Sequence, residues 1–152
     1  MPKTAKVLII DDDEEIRRLL DEALHDLGHQ AVHAADGLQA LLLAQQERPD
    51  LILLDLALPG ADGFTVLERL RALPESTIPV IVFTGSRSPT AEERARLLGA
   101  REFVKKSFFG TDLAEAIDRT LTPTRPADAT PVQTRQPEPS SELRPGAPLA
   151  SA

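Results

Sequence analysis

Residues 51–55 read Leu-Ile-Leu-Leu-Asp, an uninterrupted apolar run that ends in a carboxylate. The same arrangement occurs at residues 7–12, where Val-Leu-Ile-Ile precedes two aspartates, and a third run, Val-Ile-Val-Phe at 80–83, ends in a threonine. Runs that are apolar throughout, rather than at alternate positions, are typical of parallel strands whose sheet is covered on both faces. These three segments therefore predict the centre of an α/β fold.

Amphipathic segments separate the strands and predict the covering helices. After the first strand, apolar residues recur at helical spacing: Ile16, Leu19, Leu20, Ala23, Leu24 and Leu27. Gly28 is predicted to end this helix in a left-handed turn. Asp36 is predicted to cap a helix over residues 38–46. Thr90 and Glu93 are predicted to form a capping box for a helix that stops before Gly99.

Two weaker strands and two further helices complete the pattern. The strands are predicted near residues 31–34 and 102–105, and a helix is predicted over residues 64–70 after a Pro59-Gly60 turn. The last helix carries an apolar stripe of Leu113, Ile117 and Leu121. Five β-α units in series predict a doubly wound parallel sheet with helices on both faces.

Composition narrows the classes of function. The chain has 152 residues and 41% hydrophobic content, which fits one domain with a core of aliphatic side chains because aromatics make up only 3%. The absence of cysteine excludes disulfides, thiolate catalysis and zinc sites of the cysteine type. A net charge of −7 disfavours a direct nucleic-acid partner. No apolar stretch approaches membrane-spanning length, and we expect a cytoplasmic protein without membrane contact.

The composition changes after Thr122. Residues 123–152 are rich in proline and have hardly an apolar pair, so they cannot bury enough surface to offset the entropy of ordering. We therefore predict a folded domain over residues 1–122 and a disordered tail over 123–152 that is dispensable for folding. No further domain is expected after the folded one.

The residues that follow the predicted strands are candidates for the functional site. In doubly wound sheets ligands bind beyond the carboxyl ends of the strands. Four strands deliver polar side chains there, namely Asp11, Asp12, Asp13, Asp55, Thr84 and Lys106. Carboxylates that converge at one edge repel each other, and a hard divalent cation relieves that repulsion. Mg²⁺ favours a few carboxylates plus water and leaves positions open for phosphate oxygens.

Each of these residues also has an ordinary structural interpretation. Asp13 fits a helix N-cap, Asp55 fits the start of a turn, and Lys106 fits a solvated surface lysine. Capping leaves Asp11 and Asp12 unexplained. A carboxylate beside a metal can instead attack phosphorus and form an acyl phosphate, with a hydroxyl and an ammonium group holding the transferred oxygens.

The segments 7–12, 49–63, 79–84 and 99–106 together resemble the receiver domain of two-component response regulators, over roughly residues 6–122. The resemblance implies a flavodoxin-like sheet with strand order 2-1-3-4-5. It implies a single-domain response regulator in a phosphorelay, in which a sensor histidine kinase or a phosphotransfer protein phosphorylates Asp55. It also implies that the chain is not an enzyme beyond its own phosphorylation and dephosphorylation.

The resemblance assigns metal-binding roles. Asp12, Asp55 and the backbone carbonyl of Ala57 would bind Mg²⁺ directly, Mn²⁺ could substitute, and Asp11 would act through water. From this we expect Asp12 to matter more than Asp11 for metal affinity.

The resemblance also assigns a switch. Thr84 and Phe103 would be the switch pair, and Lys106 would form an ion pair with the phosphoryl oxygens. An unknown downstream protein would bind the face formed by the fourth helix, the fifth strand and the fifth helix.

One position departs from the family pattern, since receivers usually carry proline after this lysine and the chain has Ser107. A cis bond to serine costs about 2.5–4 kcal/mol, against about 0.5–1 kcal/mol for proline. We therefore predict a trans Lys106-Ser107 bond, slower phosphorylation than in a receiver with proline, and a faster rate in Ser107→Pro. Lys105 would be the nearest substitute cation.

Three alternatives remain open at the level of sequence. A phosphatase of the haloacid-dehalogenase type would need a second aspartate two positions after the first, where this chain has Ala57. A flavin or nucleotide binder would need an anion-accepting first loop, whereas residues 11–15 are all acidic. A receiver that folds without taking phosphate is disfavoured by the intact Asp12, Asp55 and Thr84.

Overall fold

The computed structural model describes residues 4–74, 77–85, 88–106 and 111–122. They belong to one compact unit that runs to Thr122. In chain order, the strands and helices are β1 (Lys6–Ile10), α1 (Glu14–Asp26), β2 (Gln30–Ala34), α2 (Gly37–Glu47), β3 (Leu51–Leu54), β4 (Ala57–Leu58), β5 (Ala61–Asp62), α3 (Gly63–Arg71), β6 (Val80–Thr84), α4 (Ala91–Leu97), β7 (Glu102–Lys105) and α5 (Thr111–Leu121).

The main sheet has five parallel strands in the order β2-β1-β3-β6-β7. The short strands β4 and β5 form a separate antiparallel pair. Without that pair the order is 2-1-3-4-5, so the predicted doubly wound sheet is confirmed. The chain reverses its direction of winding between β1 and β3, and the carboxyl ends of these two strands therefore border the crevice in which such folds bind ligands.

The two faces of the sheet carry separate cores, which explains why the strands are apolar throughout. One face packs against α2, α3 and α4 through Leu8, Ile10, Ile52, Leu54, Val80 and Val82. The other packs against α1 and α5 through Val7, Ile9, Leu51, Leu53, Ile81 and Phe83. All twelve side chains are at most 1% exposed. Eleven of the twelve are aliphatic, as expected from the composition, and Phe83 is the exception.

The helix ends agree with the sequence at three positions and differ at one. Asp13 accepts backbone hydrogen bonds from Glu15 and Ile16, Asp36 accepts one from Gln39, and Gly28 has φ 87°. The predicted capping box at Thr90 is wrong, because Thr90 already has helical dihedral angles and its side chain makes no cap hydrogen bond. Its hydroxyl lies 3.2 Å from the hydroxyl of Ser88 instead.

Gly63 permits a close approach that the sequence did not reveal. A Cβ atom at this position would lie 2.3 Å from Leu56 Cα and 2.5 Å from Leu56 O, both backbone atoms. The Gly63 N–H donates to Leu56 O at 3.0 Å. The start of α3 therefore lies directly against the backbone of the residue that follows Asp55, and any side chain at this position would push the two apart.

Two predictions fall outside the described residues. Ser107 and its bond to Lys106 lie there, as does the tail from residue 123. Within the described ranges, no helix is both long and apolar enough to cross a membrane.

Candidate functional site

Asp11 and Asp55 are brought together because each continues the backbone ladder of its strand by one residue. The Asp11 N–H donates to Ala34 O at 3.1 Å, and the Asp55 N–H donates to Ile10 O at 2.9 Å. Asp11 is only 2% exposed and Asp55 only 4%. Two carboxylates are thus buried side by side at the crevice between β1 and β3.

Lys106 bridges the two carboxylates from the end of β7. Its Nζ lies 2.8 Å from Asp11 Oδ2 and 3.0 Å from Asp55 Oδ2, where it donates a hydrogen bond. Lys105, the alternative cation, is exposed and pairs in register with Thr84. The structure therefore places Lys106, rather than its neighbour, against the predicted phosphate acceptor.

The electrostatics of this cluster are set by burial. Burial raises the pKa of Asp11, and the charge of Asp55 raises it further, against the opposing effects of Lys106 and the Asp13 N–H. Burial alone would lower the pKa of Lys106, but its contacts with Asp11 and Asp55 outweigh that effect and leave its pKa raised. The cluster thus favours a protonated lysine and opposes a charged Asp11.

The two oxygens of Asp11 have different surroundings. Oδ1 accepts the Asp13 N–H at 2.9 Å. Oδ2 is buried and, although Lys106 Nζ is close by, no group in the described ranges gives it a well-aligned hydrogen bond. A buried oxygen in this state still has a lone pair to offer to water or to a cation.

A carboxylate set suited to a hard cation lies at this edge. Oxygens of Asp11, Asp12 and Asp55 all lie within 4.8 Å of one another. Opposite ligands of an octahedral Mg²⁺ ion are about 4.2 Å apart, twice the usual bond length. Asp12 is exposed, and the described part of the chain supplies no hydrogen bond or ion pair to its carboxylate. The residues present therefore fit a divalent ion held by carboxylates and water.

Ala57 contacts Asp55, and Thr84 lies at the end of β6, the strand next to β3. The Ala57 N–H donates to Asp55 Oδ1 at 3.2 Å, so both oxygens of Asp55 have a donor. Thr84 is fully buried at the end of β6. Gly85 leaves space beside it, since a Cβ there would be 3.9 Å from the Lys106 side chain.

The predicted switch pair occupies one face of the sheet. Val82 pairs in register with Phe103, and Thr84 lies two residues beyond Val82 on β6. Alternate residues of a strand share a face, so Thr84 and Phe103 are diagonal neighbours on the same side. Phe103 is half-buried and packs against the core shared with α2, α3 and α4.

Arg17 is a site contact that the sequence did not predict. Its Nη1 donates to the backbone carbonyl of Asp11 at 2.6 Å. The only signal in the sequence is spacing, because Arg17 follows Asp13 by one helical turn and can reach back over the loop. The pairing of Lys106 with Asp11 was also missed, since two residues on different strands meet only through the sheet.

Comparisons with known proteins agree with this geometry. The sequence profile of the response regulator receiver domain matches residues 7–118. Sporulation initiation phosphotransferase F of Bacillus subtilis (strain 168) is 39% identical over 116 residues, which cover 76% of this chain and 93% of that protein. The chemotaxis protein CheY4 of Vibrio cholerae has a solved structure with a TM-score of 0.73 and 32% identity, covering 78% of this chain and 100% of that one.

Other relatives are longer than the matched region. "Probable transcriptional regulator ycf27" of Porphyridium aerugineum is 36% identical over 116 residues, which cover 76% of this chain but 48% of that protein. The chain thus spans about half the length of this relative.

Proposed function

We propose, from the premise that this chain belongs to the response regulator receiver domain family, that it is a phosphorylation switch whose acceptor is Asp55. The observation that carries the proposal is the bridge of Lys106 Nζ between Asp11 and Asp55, 2.8 and 3.0 Å away, beside a carboxylate set that fits a divalent cation. A relative named as a phosphotransferase supports a role in passing phosphoryl groups.

The residues at the edge account for the chemistry. A carboxylate oxygen of Asp55 forms a bond to phosphorus while the donor's phosphorus–nitrogen or phosphorus–oxygen bond breaks and its electron pair leaves with the donor. Lys106 and the hydroxyl of Thr84 stabilise the transferred oxygens. Asp12, Asp55 and the carbonyl of Ala57 would hold Mg²⁺ or Mn²⁺, with Asp11 acting through water, and the ion would neutralise charge as the phosphoryl group arrives.

The switch then operates through packing. Contact of Thr84 with the phosphoryl group would draw Phe103, its diagonal neighbour, inward and reshape the face formed by α4, β7 and α5. A shift from 1:99 to 99:1 requires about 5.5 kcal/mol of differential stabilisation. Contacts of the phosphoryl group with Lys106 and Thr84, together with the charge that a bound cation would neutralise, would supply that energy, and the reshaped face would bind the downstream protein.

The proposed partners follow from this role. The phosphoryl donor is a sensor histidine kinase or a phosphotransfer protein, and the output is a protein contact rather than a direct contact with nucleic acid or membrane. We assign the chain to the cytoplasm, with no catalysis beyond its own phosphorylation and dephosphorylation.

Mass spectrometry of the intact chain tests the proposal. Incubation with acetyl phosphate and Mg²⁺ should add one phosphoryl group, and EDTA should prevent the addition. A chain that gains no phosphate under these conditions would contradict the proposal. Steady turnover of a phosphate monoester would instead favour the phosphatase, although Ala57 occupies the position where that enzyme class needs an acid.

A further inference from the structure

The backbone of the acidic loop is held by a residue outside the acidic cluster. Arg17 donates from Nη1 to the carbonyl of Asp11 at 2.6 Å. The Asp11 N–H is bound to Ala34 O, and its Oδ1 is bound by the Asp13 N–H. Two backbone groups therefore fix the N–H and Oδ1 of Asp11, Lys106 lies against its Oδ2, and Arg17 is the side chain that holds its carbonyl oxygen.

The carbonyl of Asp11 belongs to the peptide group that leads into Asp12. Because that group is planar, holding the carbonyl oxygen also sets the direction of the Asp12 N–H and the position of its Cα. The Asp12 side chain is exposed, and no hydrogen bond or ion pair in the described ranges directs it. Its aim toward Asp55 is therefore decided by its backbone.

We propose that Arg17 is a positioning residue that acts through the Asp11–Asp12 peptide to direct the Asp12 carboxylate at the divalent cation. This inference rests on the proposed function, since it concerns the cation that Asp55 phosphorylation requires. Groups that orient metal ligands without touching the metal typically contribute about 10–100-fold in metal affinity.

If Arg17 acted only through its charge, its loss would change the Mg²⁺ affinity in one direction, and if it positions Asp12, its loss would change that affinity in the opposite direction. A guanidinium beside the site repels a divalent cation, so its removal would tighten Mg²⁺ binding if charge were all that mattered. If Arg17 positions Asp12, the same removal weakens binding. If Arg17 only satisfies a carbonyl oxygen for the sake of folding, the affinity of the folded protein stays unchanged.

Arg18 is a matched control on the next position of α1. Its side chain is 61% exposed and lies 3.9 Å from Glu15 and 3.5 Å from Glu22, both on the same helix. Arg17→Met and Arg18→Met remove the same charge from adjacent positions, but only the first removes a donor from Asp11. Arg17→Lys keeps the charge and one donor group.

The experiment is a Mg²⁺ titration of the full chain followed by amide NMR, since the chain has no Trp or Tyr for fluorescence. Arg17→Met should weaken Mg²⁺ binding about 10-fold, Arg18→Met should leave it unchanged, and Arg17→Lys should recover part of the loss. In the acetyl phosphate reaction, Arg17→Met should need more Mg²⁺ for its half-maximal rate but keep the maximal rate at saturation.

The outcomes separate the two proposals. If the wild-type chain bound no Mg²⁺, the proposed function would fail and this inference with it. If the wild type bound Mg²⁺ and Arg17→Met bound it equally or more tightly, only the inference would be overturned. Should Arg17→Met not fold, Arg17→Lys decides the matter through its affinity relative to Arg18→Met.

Discussion

The two edges of the sheet each hold a lysine against a carboxylate at nearly the same distance. At the amino edge, Lys6 Nζ lies 3.1 Å from Glu47 Oε1, with side chains 35% and 40% exposed. At the carboxyl edge, Lys106 Nζ lies 2.8 Å from Asp11 and 3.0 Å from Asp55, whose side chains are 2% and 5% exposed. The distances alone do not distinguish the two edges.

What distinguishes them is burial and the balance of charge. Water screens the pair of Lys6 and Glu47, and such surface pairs contribute only about 0–1 kcal/mol. At the other edge one lysine faces two buried carboxylates, with Asp12 close by, so negative charge is in excess where screening is weak. The pair of Lys6 and Glu47 is therefore an ordinary surface ion pair, whereas the cluster around Lys106 has uncompensated negative charge that favours binding of a cation.

The largest difference in phosphorylation is expected between variants of two aspartates that lie at opposite ends of β3. Asp55→Asn removes the proposed phosphate acceptor and should abolish phosphorylation by acetyl phosphate in the presence of Mg²⁺. Asp50→Asn is the control, because Asp50 accepts the Lys6 N–H at 2.8 Å at the amino edge and has no role in the chemistry. Intact mass measures both, and a stoichiometric phosphate on the Asp55 variant would contradict the assignment.

The second largest effect is expected between variants of the two lysines, Lys106 and Lys6, in the rate of phosphorylation. Lys106→Met removes the cation proposed to stabilise the transferred oxygens and should slow phosphorylation about 100-fold, the usual effect of losing one such group. Lys6→Met should leave the rate unchanged. The measurement is the initial rate with acetyl phosphate at saturating Mg²⁺, and equal rates in the two variants would mean that the bridge at the carboxyl edge is structural.

The free energy of unfolding tests directly whether negative charge is in excess at the carboxyl edge. Burial and Asp55 raise the pKa of Asp11 above its ordinary value of 3.8, so the ionised group opposes folding. Asp11→Asn keeps the Oδ1 acceptor and removes the charge, and it should stabilise the metal-free protein by about 0.5–2 kcal/mol at neutral pH.

The pH dependence of that gain follows from linkage. At a pH well below 3.8, Asp11 is neutral in both the folded and the unfolded chain, so Asp11→Asn is no more stable than the wild type there. The advantage grows as the pH rises through the raised pKa and is full above it. Urea unfolding in EDTA across this range is the measurement, and a variant less stable than the wild type at neutral pH would refute the argument.

The smallest effect is expected at the amino edge. Glu47→Gln breaks the exposed pair with Lys6 and should cost at most about 1 kcal/mol, less in high salt because the pair is screened. Urea unfolding at low and high salt provides the test. A loss of several kcal/mol would mean that the amino edge carries as much electrostatic energy as the carboxyl edge.

Most of the fold could be predicted because its signals are local. Apolar runs such as residues 51–54, and caps such as Asp36, depend on a few neighbouring residues. Thr90 shows the limit of such signals, because its sequence spacing fits a capping box while its backbone is already helical and leaves no N-cap geometry. Gly63 shows another, because the approach of Leu56 that requires glycine is made by the tertiary fold.

The candidate site was predictable as a set of residues but not as a set of contacts. The order of strand ends was enough to name Asp11, Asp12, Asp55, Thr84 and Lys106 as neighbours at one edge. The sequence by itself thus determined the parallel sheet, its aliphatic core and the chemical identity of the groups at its carboxyl edge, because hydrophobic period and strand-end position are properties of short segments.

Only the tertiary structure decided which of these groups touch. Lys106 and Asp55 are 51 residues apart in the chain, and their bond depends on the register of three strands. The choice of Lys106 over Lys105, its second partner Asp11 and the contact of Arg17 with the loop were settled in the same way. Such contacts depend on distances of a few ångströms between separate elements, and these are set by the packing of the whole sheet against its helices.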